Sequence, residues 1–176
     1  MERGLVQVYT GDGKGKTTAA FGQALRALGR GLKVVVIQFL KSNESGEVLY
    51  IRNNIPGMEL HRFNSQEKFI RSMNNKELDQ LKKETISGFE FAGKIIAGNK
   101  CDVLILDECL GAVNNGFITV PELINLIKSK PDTMEIVLTG RDASTELIEA
   151  ADLVTEMKKI KHPFNEGIAA RTGIEK

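Results

Sequence analysis

Short runs of apolar residues alternate with longer amphipathic stretches along most of the chain. Leu5–Tyr9 reads as a first strand. Lys16–Gly29 has helical spacing, with Phe21, Leu25 and Leu28 on one face and a glycine to end it. Lys33–Leu40 is a second strand, because Val34, Val35, Val36 and Ile37 are apolar without alternation. A run of that kind predicts a strand covered on both faces, as in a parallel sheet. Met58–Phe63 is a weaker third strand after the Pro56-Gly57 turn. Asn74–Ala97 predicts a long helix, with Gly88 and Gly93 as points where it bends. Val103–Leu106, Glu135–Leu138 and Leu153–Glu156 read as further strands, separated by helices at Pro121–Ser129 and from about Ser144 to Ala150. The tail from Lys158 onward is polar and glycine-containing.

Strand–helix alternation of this kind predicts an α/β fold: a mainly parallel, doubly wound sheet flanked by helices. At 176 residues the whole chain, 1–176, is expected to form one domain. Ligands of such sheets bind beyond the carboxyl ends of the strands. Lys plus Arg total 24 and Asp plus Glu 23, a net charge of +1, so no global field favours nucleic acid or an anionic membrane. The longest wholly apolar runs fall far short of the roughly 20 residues of a membrane span. The N-terminus leads directly into a strand pattern, so a cytoplasmic protein without a signal peptide is expected. Cys101 and Cys109 fit neither a zinc knuckle nor a redox pair, and are expected to be reduced and structural.

Chemistry enters at the strand ends. The first strand runs into Thr10-Gly11-Asp12-Gly13-Lys14-Gly15-Lys16-Thr17-Thr18, and a helix follows. Gly15-Lys16-Thr17 matches the end of a phosphate-binding P-loop, although Thr10 stands where the usual pattern has its first glycine. Gly11 and Gly13 supply the freedom to turn backbone N–H groups inward around an anion. The helix N-terminus adds positive potential. Lys16 is placed to reach across a phosphate chain and Thr17 to offer its hydroxyl to magnesium. Lys14 is either a second phosphate clamp or a solvated loop lysine.

Val103-Leu104-Ile105-Leu106-Asp107-Glu108 is an apolar strand ending in two acids, the form of a magnesium-holding Walker B element. Arg141, after Leu138-Thr139-Gly140, is a candidate phosphate or carboxylate partner, or else a structural ion pair. Arg26 faces either the nucleotide or solvent, and Gln38 is a further candidate polar contact. His61 and His162 lack metal-site spacing.

Taken together, these motifs resemble one family: the P-loop-type ATP:corrinoid adenosyltransferases, acting on cob(I)alamin or cob(I)yrinic acid a,c-diamide. The resemblance rests on the loop through Gly22, on Val36-Ile37-Gln38-Phe39-Leu40-Lys41, on Leu106-Asp107-Glu108 and on Leu138-Thr139-Gly140-Arg141. It ends in Lys161-His162-Pro163-Phe164-Asn165-Glu166-Gly167-Ile168-Ala169-Ala170-Arg171-Thr172-Gly173-Ile174-Glu175, a segment that a generic P-loop enzyme has no reason to carry.

The resemblance implies a RecA-type fold and a homodimer. It implies that Co(I) of a reduced corrinoid attacks the 5′-carbon of ATP and releases triphosphate, with the phosphates reversed along the loop. The implied ATP-binding residues are Gly11, Asp12, Gly13, Lys14, Gly15, Lys16, Thr17, Thr18 and Arg141, and Arg26 joins them as a candidate from its place on the helix after the loop. Thr17, Asp107 and Glu108 would hold Mg2+, and no residue acts as nucleophile or base. An electron donor to cobalt is an implied partner. Family members place aromatics, often a tryptophan, after the third strand; this chain has no Trp and carries Phe69 there. Phe69 and His162 are the implied corrinoid contacts. The competing readings are a small phosphoryl-transfer kinase and a nucleotide-dependent switch protein.

Overall fold

Parallel strands need both faces covered, and the apolar runs of this chain supply that cover. The computed structural model describes residues 2–41, 46–55, 57–66 and 68–174. Six strands form one sheet: β1 (Val6–Thr10), β2 (Val34–Gln38), β3 (Met58–Arg62), β4 (Val103–Asp107), β5 (Glu135–Thr139) and β6 (Leu153–Glu156). Their order is β3-β2-β4-β5-β1-β6, and every neighbouring pair is parallel. The expected mainly parallel sheet is thus parallel throughout. All residues of β2, β4 and β5 are buried, the physical counterpart of their unbroken apolar runs.

Among the described residues six α-helices connect the strands: α1 (Lys16–Leu28), α2 (Gly46–Asn54), α3 (Asn75–Ala97), α4 (Cys109–Asn114), α5 (Val120–Lys128) and α6 (Thr145–Ala150). Side chains alternate across each strand, so two cores form. On one face Val34, Val36, Val103, Ile105 and Val137 pack with Ala20, Phe21, Ala24 and Ala27 of α1 and Ile51 of α2. On the other, Val35, Ile37, Leu104, Leu106, Ile136 and Leu138 pack with α3, α4, α5 and α6. Among the described residues no helix is long and apolar enough to cross a membrane.

One expectation changes, and two helices are added. Leu25 is 51% exposed, because Ala20, Phe21, Ala24 and Ala27 form the buried face of α1, with Leu28 packed partly against it. Gly88 and Gly93 do not interrupt α3, which is one helix from Asn75 to Ala97. A Cβ on Gly88 would lie 2.9 Å from Phe63 and 3.1 Å from Phe39, so this glycine makes room for two aromatic rings. Helices α2 and α4 carry too little periodicity to be read from sequence: α2 buries only Val48 and Ile51, and α4 has six residues. The Pro56 half of the predicted turn lies outside the described residues.

Both cysteines are free and buried, as expected. Burial pushes the Cys101 thiol up to about 12 and the Cys109 thiol higher still. The polar tail forms a 3-10 turn at Pro163–Glu166.

Candidate active site

The strand order decides which loops meet. Strand β5 lies between β1, which feeds the phosphate loop, and β4, which ends in the acids. The C-terminal residue of β5, Thr139, therefore stands between them.

The loop turns twice through left-handed glycines, Gly11 at φ 102° and Gly15 at φ 115°. Gly15 is the N-cap of α1 and provides no side-chain cap, so the first N–H groups of the helix remain available to an anion. Lys16 folds back over the loop, its Nζ donating to the carbonyls of Gly11 at 2.8 Å and Gly13 at 2.7 Å. Burial lowers the pKa of this ammonium, and the nearby positive charge of Arg141 lowers it further. Arg141 thus shares the electropositive patch of the loop. Its own loop is fixed by Asn114, whose Nδ2 donates to the Arg141 carbonyl at 2.8 Å.

Asp107 is the centre of the polar network. It is fully buried, and four donors converge on its carboxylate. Thr17 and Thr139 hydroxyls donate to Oδ1 at 2.9 and 2.7 Å. Gln38 Nε2 and Lys41 Nζ donate to Oδ2 at 2.9 and 2.6 Å. Lys41 Nζ also donates to Thr17 Oγ1 at 3.1 Å. These four donors satisfy the hydrogen-bonding capacity of a carboxylate that has no access to solvent. Glu108 follows in a left-handed conformation, φ 62°, which turns the chain sharply out of β4. Its N–H donates to Thr139 Oγ1 at 2.9 Å. Burial and the adjacent Asp107 raise the Glu108 pKa, opposed by Lys41, Lys16 and Arg141.

The oxygen set of Thr17, Asp107 and Glu108 suits a hard cation such as magnesium. Gln38 Oε1 is buried without a hydrogen-bond partner beside this set, an acceptor that a metal-bound water would satisfy. Among the described residues no cluster of three His, Cys, Asp or Glu side chains forms a metal site of another kind.

Several candidate residues sit differently from expectation. Asp12 accepts the Lys159 N–H of the tail at 2.9 Å; that bond holds its pKa below the ordinary range. Lys14 Nζ donates to the Ile174 carbonyl at 2.7 Å, so the tail returns to the loop. The glycines answer to the tail as well: a Cβ on Gly11 or Gly13 would lie 2.4 or 2.6 Å from the Met157 carbonyl oxygen. Thr18 is exposed at the start of α1. Arg26 is not brought to the loop: it lies exposed in the last turn of α1, ten residues and about 15 Å of helix from Lys16.

Phe69 is 78% exposed on the connection between β3 and α3, so it is no core residue. His162 is half-buried on the tail, where its carbonyl accepts the Asn165 N–H at 3.0 Å. His61 packs against Phe91 with ring centroids 4.6 Å apart and the planes tilted by 56°. Lys41 and Thr139 are functional candidates that side-chain type alone does not single out. The available signal is register: Gln38 pairs with Asp107, and Tyr9 with Thr139, at the carboxyl edge of the sheet.

The model of the family described as ATP:corrinoid adenosyltransferase BtuR/CobO/CobP matches residues 2–175. The chain belongs to this ATP:corrinoid adenosyltransferase family. Corrinoid adenosyltransferases of Pseudomonas aeruginosa and Escherichia coli K12 are 37% and 34% identical to it over 99% of the chain, and it covers 84% and 86% of their lengths. The corrinoid adenosyltransferase CobA of Salmonella typhimurium is 33% identical, with 99% and 86% coverage. Flagellar accessory protein FlaH of Methanocaldococcus jannaschii superposes with a TM-score of 0.59. That match covers 89% of this chain and 72% of FlaH at 11% identity, and so shows a shared fold alone. The family match extends through the tail that meets Lys14 and Asp12, and neither the kinase nor the switch reading is favoured.

Proposed function

We propose that this enzyme transfers the 5′-deoxyadenosyl group of ATP to the Co(I) of a reduced corrinoid. The observation that carries the reading is an adenosyltransferase family match over residues 2–175, on a chain whose phosphate loop faces a buried strand-end aspartate through Thr17. Co(I) supplies the electron pair of the new cobalt–carbon bond. The C5′–O bond breaks, its pair leaves on inorganic triphosphate, and no proton is abstracted.

Catalysis then rests on position and charge. The loop N–H groups from Gly11 to Lys16, with Lys16 and Lys14, hold the triphosphate, and Thr18 adds a hydrogen bond. Lys14 exchanges the Ile174 carbonyl for phosphate. Arg141 lies on the same patch and neutralises the leaving chain. Thr17, Asp107 and Glu108 hold Mg2+, which supplies charge neutralisation on the leaving triphosphate when bound. Thr139 and Gln38 hold the Asp107 carboxylate in its orientation. Phe69 offers an exposed ring to the corrinoid, and His162 approaches it from the tail. The reading includes a homodimer, a separate electron donor for cobalt and a cytoplasmic setting, which suits two unpaired thiols.

An anaerobic assay with magnesium-ATP and chemically reduced cob(I)alamin tests the proposal. The expected result is a light-sensitive alkylcobalamin spectrum with one triphosphate per adenosyl group. ADP formation with no spectral change, cob(I)inamide also inert, overturns it.

A further inference from the structure

Lys41 is the least expected member of the Asp107 network. Its ammonium touches two of the oxygens that would hold a metal, Asp107 Oδ2 at 2.6 Å and Thr17 Oγ1 at 3.1 Å. The backbone is shaped to bring it there. Phe39 continues from β2 and donates its N–H to the Asp107 carbonyl at 2.9 Å. Leu40 then adopts a left-handed conformation, φ 58°, and the Lys41 N–H turns back to the Phe39 carbonyl at 2.7 Å. Arg62 of β3 pins the turn by donating from Nη2 to the Lys41 carbonyl at 2.9 Å. A leucine rarely adopts positive φ, and here that conformation directs the next side chain over the end of β4.

We propose that Lys41 is a resident surrogate cation: it neutralises the buried Asp107 in the nucleotide-free enzyme and must be displaced for the metal ion to bind. The proposal rests on the reading of Thr17 and Asp107 as metal ligands. Asp107 is fully buried with the Lys41 ammonium against its carboxylate, whereas the Lys41 side chain is 25% exposed and has a way out. One ammonium and one hydrated cation cannot occupy the same two oxygens, so binding is competitive. Metal binding is thereby coupled to release of the turn at Leu40–Lys41, and free metal without ATP is held weakly.

Mn2+ binding to the intact, nucleotide-free protein, followed by electron paramagnetic resonance, tests this. Lys41→Met removes the competitor. Lys41→Gln does the same but leaves a hydrogen-bond donor to Asp107, which protects folding. Lys158→Met controls for loss of a charge beside the loop, since Lys158 pairs with Glu156 rather than with Asp107. Both Lys41 variants should bind Mn2+ at least about tenfold more tightly than the wild type, and Lys158→Met should change affinity less than about threefold. If the Lys41 variants match the wild type while Asp107→Asn abolishes Mn2+ binding, the metal site stands and the surrogate role is overturned. An equal gain in Lys158→Met also overturns it, in favour of a general field effect. If Asp107→Asn binds Mn2+ as the wild type does, with and without ATP, the metal reading itself fails and the proposal with it.

Discussion

Gly13→Ala separates two reasons for a glycine in the phosphate loop. Close approach of a phosphate is one. Close approach of the chain leaving β6 is the other, because an alanine Cβ would lie 2.6 Å from the Met157 carbonyl oxygen and 2.8 Å from the Lys158 carbonyl carbon. Both contacts are backbone, so no side chain can swing aside. Reaching the 3.4 Å of ordinary contact requires a retreat of about 0.8 Å. That shift strains the Gly13 N–H bond to the Met157 carbonyl, now 2.7 Å. Overpacking costs about 1–3 kcal/mol and a lost hydrogen bond about 1 kcal/mol, giving about 2–4 kcal/mol in all. For a chain of this size each kcal/mol moves Tm by about 2–4 °C, so a fall of about 4–16 °C is expected. Gly22→Ala is the control: it lies in α1 with nothing within 4 Å of the added carbon, and should gain up to about 1 kcal/mol of helix stability. Thermal melts without ligand, followed by ATP titration calorimetry, measure both effects. If Gly13→Ala melts with the wild type and only loses ATP affinity, phosphate room is the sole reason and the packing argument is refuted.

Glu108→Gln should change sign with ligand. A carboxyl whose folded pKa is raised contributes stability that is full below its ordinary value near 4.5 and is lost as pH rises through the folded value. Melts in EDTA between pH 4 and 8 should therefore show a flatter decline for the variant, while its magnesium-dependent ATP affinity falls by about tenfold or more; an unchanged pH profile and unchanged affinity would contradict the role. Lys16→Ala should weaken ATP binding by about 10–100-fold, the loss of a charged hydrogen bond, and leave corrinoid binding within about threefold; calorimetry with each ligand checks this. Cys101, its thiol pushed up to about 12, and Cys109, fully enclosed, should resist iodoacetamide at pH 8 until guanidinium unfolds the chain, as mass spectrometry would report. Rapid labelling of the folded protein would mean that the core around them opens.

The sheet was legible because burial on both faces leaves a local mark: Val34–Ile37 and Val103–Leu106 have no polar residue to place in solvent. The phosphate loop was legible for a similar reason, since glycines and a lysine at fixed spacing are themselves the anion cradle. Asp107 and Glu108 stood out as acids ending an apolar strand. What the chain alone left open depends on contacts between residues distant in sequence. Asp12 carries no local sign that it serves Lys159, 147 residues on. Arg26 could not be removed from the nucleotide until the length of α1 was set against the loop. Gly88 read only as a bend in a long helix, and the two rings from other segments that fill the space above it left no local sign. Lys41 and Thr139 became candidates only when strand order placed the ends of β2, β4 and β5 side by side. Local spacing dictates which backbone can form, whereas the partner of a buried charge is chosen by whichever strand end tertiary packing brings within hydrogen-bond reach.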